Sequence, residues 1–443
     1  MTRLRISFAL VMMACAHPAF LAAQTPQPAS SANDSSIVAW IRQNAVPLQS
    51  LQAGTGFADL EPLKRVLADV RIVGLGEASH GTSEFSQVKH RLLEFLVTQM
   101  GFTAFAMETS YSDAQPINDY IVHGTGDRAT VLTGQGYVGW DTEEMGAMID
   151  WLRAYNKTVP EAKRVHFYGM DSYRNRVGRA RVISLVRRVA PERVTTTDSL
   201  FHVLAAQEAK WPFSDTTVVA KTRPELAALI EVLESRRSRA FGRSRPSEYE
   251  DDMQLLRVMR QSAYERLSST MAENLGYIVD HERPGTKFVL WAHNWHVASH
   301  ETQLGDPTAG YVLRRRYGNA YYRVGLEFDR GSYLSRLMPP PGEFKIGMIP
   351  PAPAGWVTWY LARTGRERFF LDLRSTARDS TVEQWLHARR LMHAVNWGYS
   401  DPAELYQHVA IAEFYDGIVF VAESTPTHPN PSAQRAASRG EGF

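Results

Sequence analysis

The sequence predicts an α/β fold: a mostly parallel sheet flanked by helices, with a helical insertion. Two observations carry this. Short apolar runs rich in β-branched residues alternate with amphipathic helical stretches, the rhythm of a sheet covered on both faces. Across residues 176–283 the strand pattern stops and a charged helical stretch takes its place. The chain has 443 residues, 44% hydrophobic and 22% charged, enough for one large domain or two ordinary ones. Its net charge of +2 gives no bulk attraction to nucleic acid or an anionic membrane, so no nucleic-acid partner is expected.

Residues 1–23 read as a secretory signal peptide. Arg3 and Arg5 precede an apolar run over residues 6–14, and Phe20-Leu21-Ala22-Ala23 ends in small residues suited to cleavage. That run is too short for a comfortable transmembrane helix and no other is long enough. The mature chain is therefore expected to have no membrane span and to be periplasmic or secreted. Cys15, the only cysteine, lies in this segment, so cleavage leaves no thiol for a disulfide, a nucleophile or a metal site. Lipid anchoring at Cys15 fits less well, because Met12-Met13-Ala14 departs from the usual small and aliphatic pattern. Residues 24–36, rich in Pro, Ala and Ser, read as a flexible tether. Residues 37–424 read as one α/β domain, and residues 425–443 as a disordered tail dominated by Pro, Ser, Arg and Gly.

Within the domain, residues 70–75 form a buried-strand pattern. A helix follows. Thr82 or Ser83 can cap it, Glu84 suits its first turn, Phe85, Val88, Leu92, Phe95, Leu96 and Met100 recur at helical spacing, and Gly101 stops it. Residues 102–107 make a second strand ending at Glu108, which completes a βαβ unit. Helical segments at 116–122 and 143–155 lead to a strand at 165–169 that ends near Asp171. After the insertion, a strand at 287–292 runs into His293-Asn294-Trp295-His296, and further strands are predicted at 322–328, 369–373 and 417–421.

Ligands of open α/β sheets bind beyond the carboxyl ends of the strands. There the run Gly74-Leu75-Gly76-Glu77-Ala78-Ser79-His80-Gly81-Thr82 sets Glu77 and His80 three residues apart on a Gly-rich turn. The other strands bring Glu108, Asp171, His293 and His296 to the same rim. Several titratable groups in one place are costly to keep for structure alone, which favours an enzyme site. His is the natural general base near neutral pH, and Glu77 or Glu108 can fix its tautomer. A second His, or Lys89 or Arg91 one to two turns into the following helix, can stabilise an oxyanion. Such a set needs only water as nucleophile. Serine catalysis is disfavoured, because no Gly-x-Ser-x-Gly occurs and Ser79 directly adjoins His80. The rival is a metal site, since the same His and Glu side chains suit zinc, manganese or iron. Their spacings match no standard zinc motif, and His293 and His296, three apart, suit a metal on one helix turn but not at a strand end. Tyr111, Tyr137, Trp140, Trp295, Trp356 and Trp359 are core residues unless they line the cleft, in which case the substrate has a large apolar body.

These residues resemble the erythromycin esterase family. The matching motifs keep the family's order: Gly76 to Thr82, Gly101-Phe102 with Ala106-Met107-Glu108, Phe167-Tyr168-Gly169-Met170-Asp171, Met271-Ala272-Glu273-Asn274, and Ala292-His293-Asn294-Trp295-His296. The resemblance implies that the helical insertion lies over the carboxyl edge of the strands. It implies hydrolysis of an ester or lactone, in the family that of macrolide antibiotics, with no metal and no other cofactor. It implies that His80 is the base activating water, that Glu77 and Glu108 orient base or water, and that His293 and His296 are a second site pair. Lys89, Asp171 and Trp295 are taken as substrate contacts. Two departures bear on the substrate: Trp295 stands where a small residue is common, and Leu267-Ser268 where an Arg-Asp pair is expected. The expected export also differs from the resistance esterases, which act in the cytoplasm. Broader relatives include metal-dependent peptidases and haem-binding lipoproteins. A metal-dependent hydrolase, or a non-catalytic binder of a large apolar ligand such as haem, therefore stays open.

Overall fold

The computed structural model describes residues 32–210, 215–238, 246–262, 267–301, 305–336, 342–374, 379–395, 398 and 405–439. In chain order the strands are β1 (Val46–Pro47), β2 (Ile72–Leu75), β3 (Ala104–Ser110), β4 (His166–Asp171), β5 (Phe288–Trp291), β6 (Tyr321–Arg336), β7 (Phe344–Ile349), β8 (Arg368–Asp372), β9 (Arg389–His393), β10 (Tyr406–Ala410) and β11 (Gly417–Ser424). Among the described residues nine of them form one sheet in the order β1-β8-β11-β6-β2-β5-β3-β4, with β7 paired to β6. The pairings from β11 through β6, β2, β5 and β3 to β4 are parallel, and β1–β8, β8–β11 and β6–β7 are antiparallel. β9 and β10 form a separate antiparallel ribbon.

β2 lies at the centre, and the consecutive strands β5 and β6 flank it on opposite sides. That reversal is the topological switch point, where a cleft opens beyond the strand ends. All four residues of β2 are buried. Val73 and Leu75 enter one core with Phe85, Val88 and Leu92, while Ile72 enters another with Met271, Leu275 and Ile278. Covering both faces is why the run reads as continuously apolar.

The helix Ser83–Met100 ends on Gly101, which takes the left-handed conformation at φ 73° and returns its N–H to Leu96. Its start falls where expected, with Glu84 in the first turn, but the cap bond does not form. Thr82 occupies the cap position without a side-chain cap bond, and the Glu84 carboxylate binds the Thr425 N–H and hydroxyl instead. β3 runs past Glu108 to Ser110, and its register with β4 shifts between Met107 and Ser110. β6 is twice as long as expected because its successive parts pair with β2, β11 and β7. The helices Arg176–Val189, Val194–Glu208, Thr216–Ser235 and Pro246–Ser262 of the insertion share a core around Leu185, Leu226, Leu233 and Leu256. Its last helix, Leu267–His281, packs on the sheet.

Parts of two segments expected to be unstructured are ordered. Residues 32–36 open the helix Ala32–Asn44, whose Ile37, Trp40 and Ile41 are buried. Residues 1–23, expected to be a signal peptide and including Cys15, and residues 24–31 lie outside the described residues. Residues 425–439 form a strap ending in the helix Pro431–Ser438, and residues 440–443 lie outside the described residues. Thr427 N–H donates to Gly81 O at 2.9 Å, and Thr425 O and His428 O accept the N–H groups of Ser83 and Glu143 at 2.9 and 2.8 Å. The composition misleads because this segment's order comes from other chain segments. The strap supplies acceptors to the otherwise unpaired first N–H groups of two helices and buries Ala433, Ala436 and Ala437. Among the described residues no helix is long and apolar enough to cross a membrane.

Deleting residues 425–443 is expected to lower the thermal midpoint by several degrees and to speed hydrogen exchange at the starts of the helices Ser83–Met100 and Glu143–Thr158. An unchanged midpoint with unchanged exchange there would show the strap to be dispensable.

Candidate active site

The carboxyl ends of β2, β5, β3 and β4 converge at the switch point, and each delivers titratable side chains. The turn after β2 is held from several sides. Asn294 donates its N–H to Glu77 O at 2.8 Å, and its side-chain amide pairs with the N–H and C=O of Leu326 at 3.0 and 2.8 Å. Val395 N–H donates to Ala78 O at 2.7 Å, and Leu334 N–H to Gly81 O at 2.9 Å. Gly81 permits that approach, since a Cβ there would lie 1.8 Å from Leu334 O.

His80 projects from this turn with Nδ1 2.5 Å from Glu77 Oε1. The other Glu77 oxygen accepts from Lys89 Nζ at 2.6 Å and from the Trp291 indole N–H at 3.2 Å. Burial pushes the Glu77 carboxyl up, but the charges of Lys89 and His80 outweigh it and hold the group below the usual carboxylate range. Burial pulls Lys89 down to about 8 against the opposing pull of Glu77. Lys89 is therefore not the substrate contact expected from the sequence. It is 0% exposed, with its ammonium on Glu77 and 4.2 Å from the Trp291 ring centroid. Arg91 is no oxyanion donor either. It is spent on Asp59 and on the carbonyls of Ser50 and Gly56, because residues two apart on a helix face different ways.

Glu108 joins the remaining groups. Its Oε1 lies 3.3 Å from His296 Nε2 and 4.0 Å from His80 Nε2, and its Oε2 accepts the His293 N–H at 2.7 Å. Burial pushes its carboxyl up, but the two imidazoles and these hydrogen bonds hold it far below the usual range. His296 sits on the short helix Asn294–Val297 and His293 is its N-cap residue, so the pair spans a helix turn and not a strand end as the sequence suggested. His293 caps that helix, its Nδ1 accepting from Trp295 N–H at 3.2 Å. The proton therefore belongs on Nε2, which is buried and has no hydrogen-bond partner among the described residues. Burial and the nearby His80 pull His293 down to about 4, so it is neutral at pH 7. Burial also opposes charge on His296, but Glu108 overrides it and raises the group. The site thus holds one neutral and one charge-prone imidazole three residues apart.

Asp171 is 5% exposed and accepts the N–H groups of Ser172 and Tyr173. Burial, reinforced by Glu108, pushes its carboxyl up to about 7. Trp140 and Tyr137 wall the site. Trp140 lies edge-on to His80 with centroids 4.9 Å apart and donates its indole N–H to Glu108 O at 2.8 Å, and Tyr137 is 5.9 Å from His80. Trp295 is partly exposed beside His296 and lies edge-on to His300 at 4.4 Å. Trp359 is core, Tyr111 packs toward the insertion, and Trp356 lies beside His393. Sequence reasoning missed the roles of Trp291, Asn294 and Ser268. Ser268 occupies one of the two family departures, and its hydroxyl is 3.1 Å from His296 Nδ1 while accepting Ala309 N–H at 2.8 Å.

Among the described residues no group of three or more His, Asp or Glu side chains is arranged to hold a metal ion. His80 Nδ1 is held by Glu77, His293 Nδ1 by a backbone N–H, and His296 Nε2 by Glu108.

Fold and rim together define an α/β protein with a carboxylate–imidazole site at its switch point. A model of the erythromycin esterase family matches residues 97–424, and the chain belongs to that family. The Bacillus subtilis (strain 168) protein "Putative hydrolase YbfO" is 23% identical over 431 residues, covering 88% of this chain and 91% of that protein. Erythromycin esterase type II of Escherichia coli is 34% identical over 137 residues, 31% of this chain and 32% of that one. Among solved structures, a mutant of erythromycin esterase EreC in its open conformation superposes with a TM-score of 0.62. It is 19% identical and covers 85% of this chain and 96% of that one, a likeness of fold.

The Asp171 carboxyl is raised in the folded state, so its contribution to stability is full below its unfolded pKa of about 3.9 and is lost as pH rises toward 7. Asp171→Asn is therefore expected to gain stability over the parent progressively between pH 4 and 7, as read by denaturant melts at each pH. A stability difference that is flat with pH would contradict a buried, uncompensated carboxyl.

Proposed function

We propose that this chain hydrolyses a carboxylic ester or lactone with water as nucleophile and His80 as general base. The reading rests on one observation: Glu77 holds His80 Nδ1 at 2.5 Å, while His80 Nε2 is turned toward Glu108. The family match begins at residue 97, after this turn, so the roles of Glu77 and His80 rest on their geometry. Glu77 takes the Nδ1 proton as its partner and leaves a lone pair on Nε2. With 4.0 Å between that nitrogen and Glu108 Oε1, a water hydrogen-bonded to both at about 2.8 Å would stand at the apex of a triangle. His80 removes its proton as its oxygen attacks the acyl carbon, and the new imidazolium lies between two carboxylates that stay ionised. The developing oxyanion can accept from the unpartnered His293 Nε2–H, whose ring centroid is 5.2 Å from that of His80. Collapse of the intermediate breaks the acyl–oxygen bond, and His80 returns its proton to the leaving alkoxide.

The relatives named as erythromycin esterases make macrolactones the first substrates to try. The aromatic wall of Trp140 and Tyr137 suits a substrate with an apolar body. Export through the amino-terminal signal would carry this reaction to the periplasm or beyond.

The test is hydrolysis of a panel of small esters and macrolactones, with and without a chelator. Turnover is expected to survive chelation, to vanish in His80→Ala, and to fall about a thousandfold or more in Glu77→Gln, which leaves the imidazole in the wrong tautomer. Full activity in His80→Ala would end this mechanism, and loss on chelation would return the same residues to a metal.

Lys89 sets an alkaline limit. Above about pH 8 it loses its proton and Glu77 loses its counter-charge, so kcat is expected to decline there. Lys89→Arg, which keeps its charge, should move that limb upward. Stability responds with the opposite sign. The folded pKa lies below the unfolded 10.5, so stability rises with pH between about 8 and 10.5. A limb that the substitution does not move would remove Lys89 from this role.

A further inference from the structure

A second buried carboxylate–imidazole pair lies behind the His80 turn, and the mechanism above does not use it. Glu327 on β6 is 0% exposed. Its Oε1 accepts from His393 Nδ1 at 2.6 Å and from the Thr358 hydroxyl at 3.0 Å. Its Oε2 is buried and has no hydrogen-bond partner among the described residues. His393 also lies 3.1 Å from Phe328 O and stacks on the Phe328 ring at 5.3 Å. Phe328 O can only accept, so Nδ1 carries a proton.

Such a pair is costly to bury, and well-packed apolar side chains would serve a purely structural end as well. Its position supplies the purpose. His393 ends β9, and the β9–β10 ribbon is no part of the main sheet. Two residues later Val395 donates its N–H to Ala78 O at 2.7 Å and runs beside Ser79 as an isolated parallel bridge. Two extended residues span only about 7 Å, so fixing His393 on β6 fixes Val395 against the turn. Ala78 lies between Glu77 and His80, and both Ala78 and Val395 are fully buried.

We propose that Glu327 and His393 form a positioning pair that clamps the segment ending at Val395 onto the Glu77–His80 turn and so sets the aim of the His80 imidazole. This rests on the hydrolase reading for its effect on turnover, and on geometry alone for its effect on the turn. Glu327 and His393 touch no reacting atom. A displacement of about 1 Å in His80 is enough to cost a hundredfold in rate.

The experiment compares the parent with His393→Ala, His393→Asn and Val395→Pro by hydrogen exchange of residues 76–83 and by ester turnover. Asn keeps an N–H donor where Nδ1 stands, and Pro removes the Val395 donor while leaving the pair intact. His393→Ala and Val395→Pro are expected to speed exchange in residues 76–83 while β3 and β4 stay protected. They should lower kcat about a hundredfold with KM within about twofold. His393→Asn should recover most of both losses. Unchanged exchange in the turn in His393→Ala, acceleration equal in every element, or no recovery with Asn would each overturn the clamp. Where His393→Ala does not fold, Glu327→Gln, which keeps the shape of the pair and removes its charge, carries the test of the pair. Absence of ester turnover in the parent would sink the hydrolase reading alone, and the exchange arm would still decide the clamp.

Discussion

The site depends on a buried line of charge that runs from Lys89 through Glu77 to His80. Taking a carboxylate and an ammonium out of water costs several kcal/mol for each ion, and only close mutual contact offsets it. Here both Glu77 oxygens are occupied, one by His80 and one by Lys89 and Trp291. The carboxylate therefore has one orientation, and through it the imidazole has one tautomer. The opposite shifts fit this picture: burial weakens the hold of Lys89 on its proton, while the paired charges keep Glu77 ionised.

A line of charge is useful only if its backbone cannot drift. The turn carrying it has little regular structure of its own and takes its shape from neighbours. Asn294 fastens Glu77, Val395 fastens Ala78, and Leu334 and Thr427 share the carbonyl of Gly81. These contacts come from residues more than 200 positions away in the chain. They explain why glycine stands at position 81, where two backbones meet over one carbonyl and a side chain has no room. The carboxyl-terminal strap belongs to this frame, and through Asn430 and Asp141 it also secures the loop that presents Trp140 to His80.

The two histidines after β5 have the same side chain and different chemistry. His293 spends Nδ1 on a helix cap and is stripped of solvent, so it stays neutral and offers an N–H. His296 faces Glu108 and Ser268, so charge on it is favoured. Glu108 partners both, receiving a backbone N–H from one and facing the ring of the other. Environments that push like groups apart are how one cleft supplies both a hydrogen-bond donor and a charge.

The sequence by itself determined the α/β alternation, the helix Ser83–Met100 with its Gly101 stop, and the rim that gathers Glu77, His80, Glu108, Asp171, His293 and His296. These are legible because apolar periodicity, glycine punctuation and strand polarity are local, and strand ends of a parallel sheet all point one way. Local patterns could not reveal the partners. Lys89 read as a free cation at the cleft because its spacing says nothing of what lies beneath it, and the tail read as disordered because its carbonyls accept the N–H groups of Ser83 and Glu143, hundreds of residues away. Trp291 looked like one more buried strand residue until its indole met Glu77. Which face of a helix meets a carboxylate, and which nitrogen of an imidazole keeps its proton, is fixed by desolvation and hydrogen bonds between distant segments. Those exist only after the chain has folded.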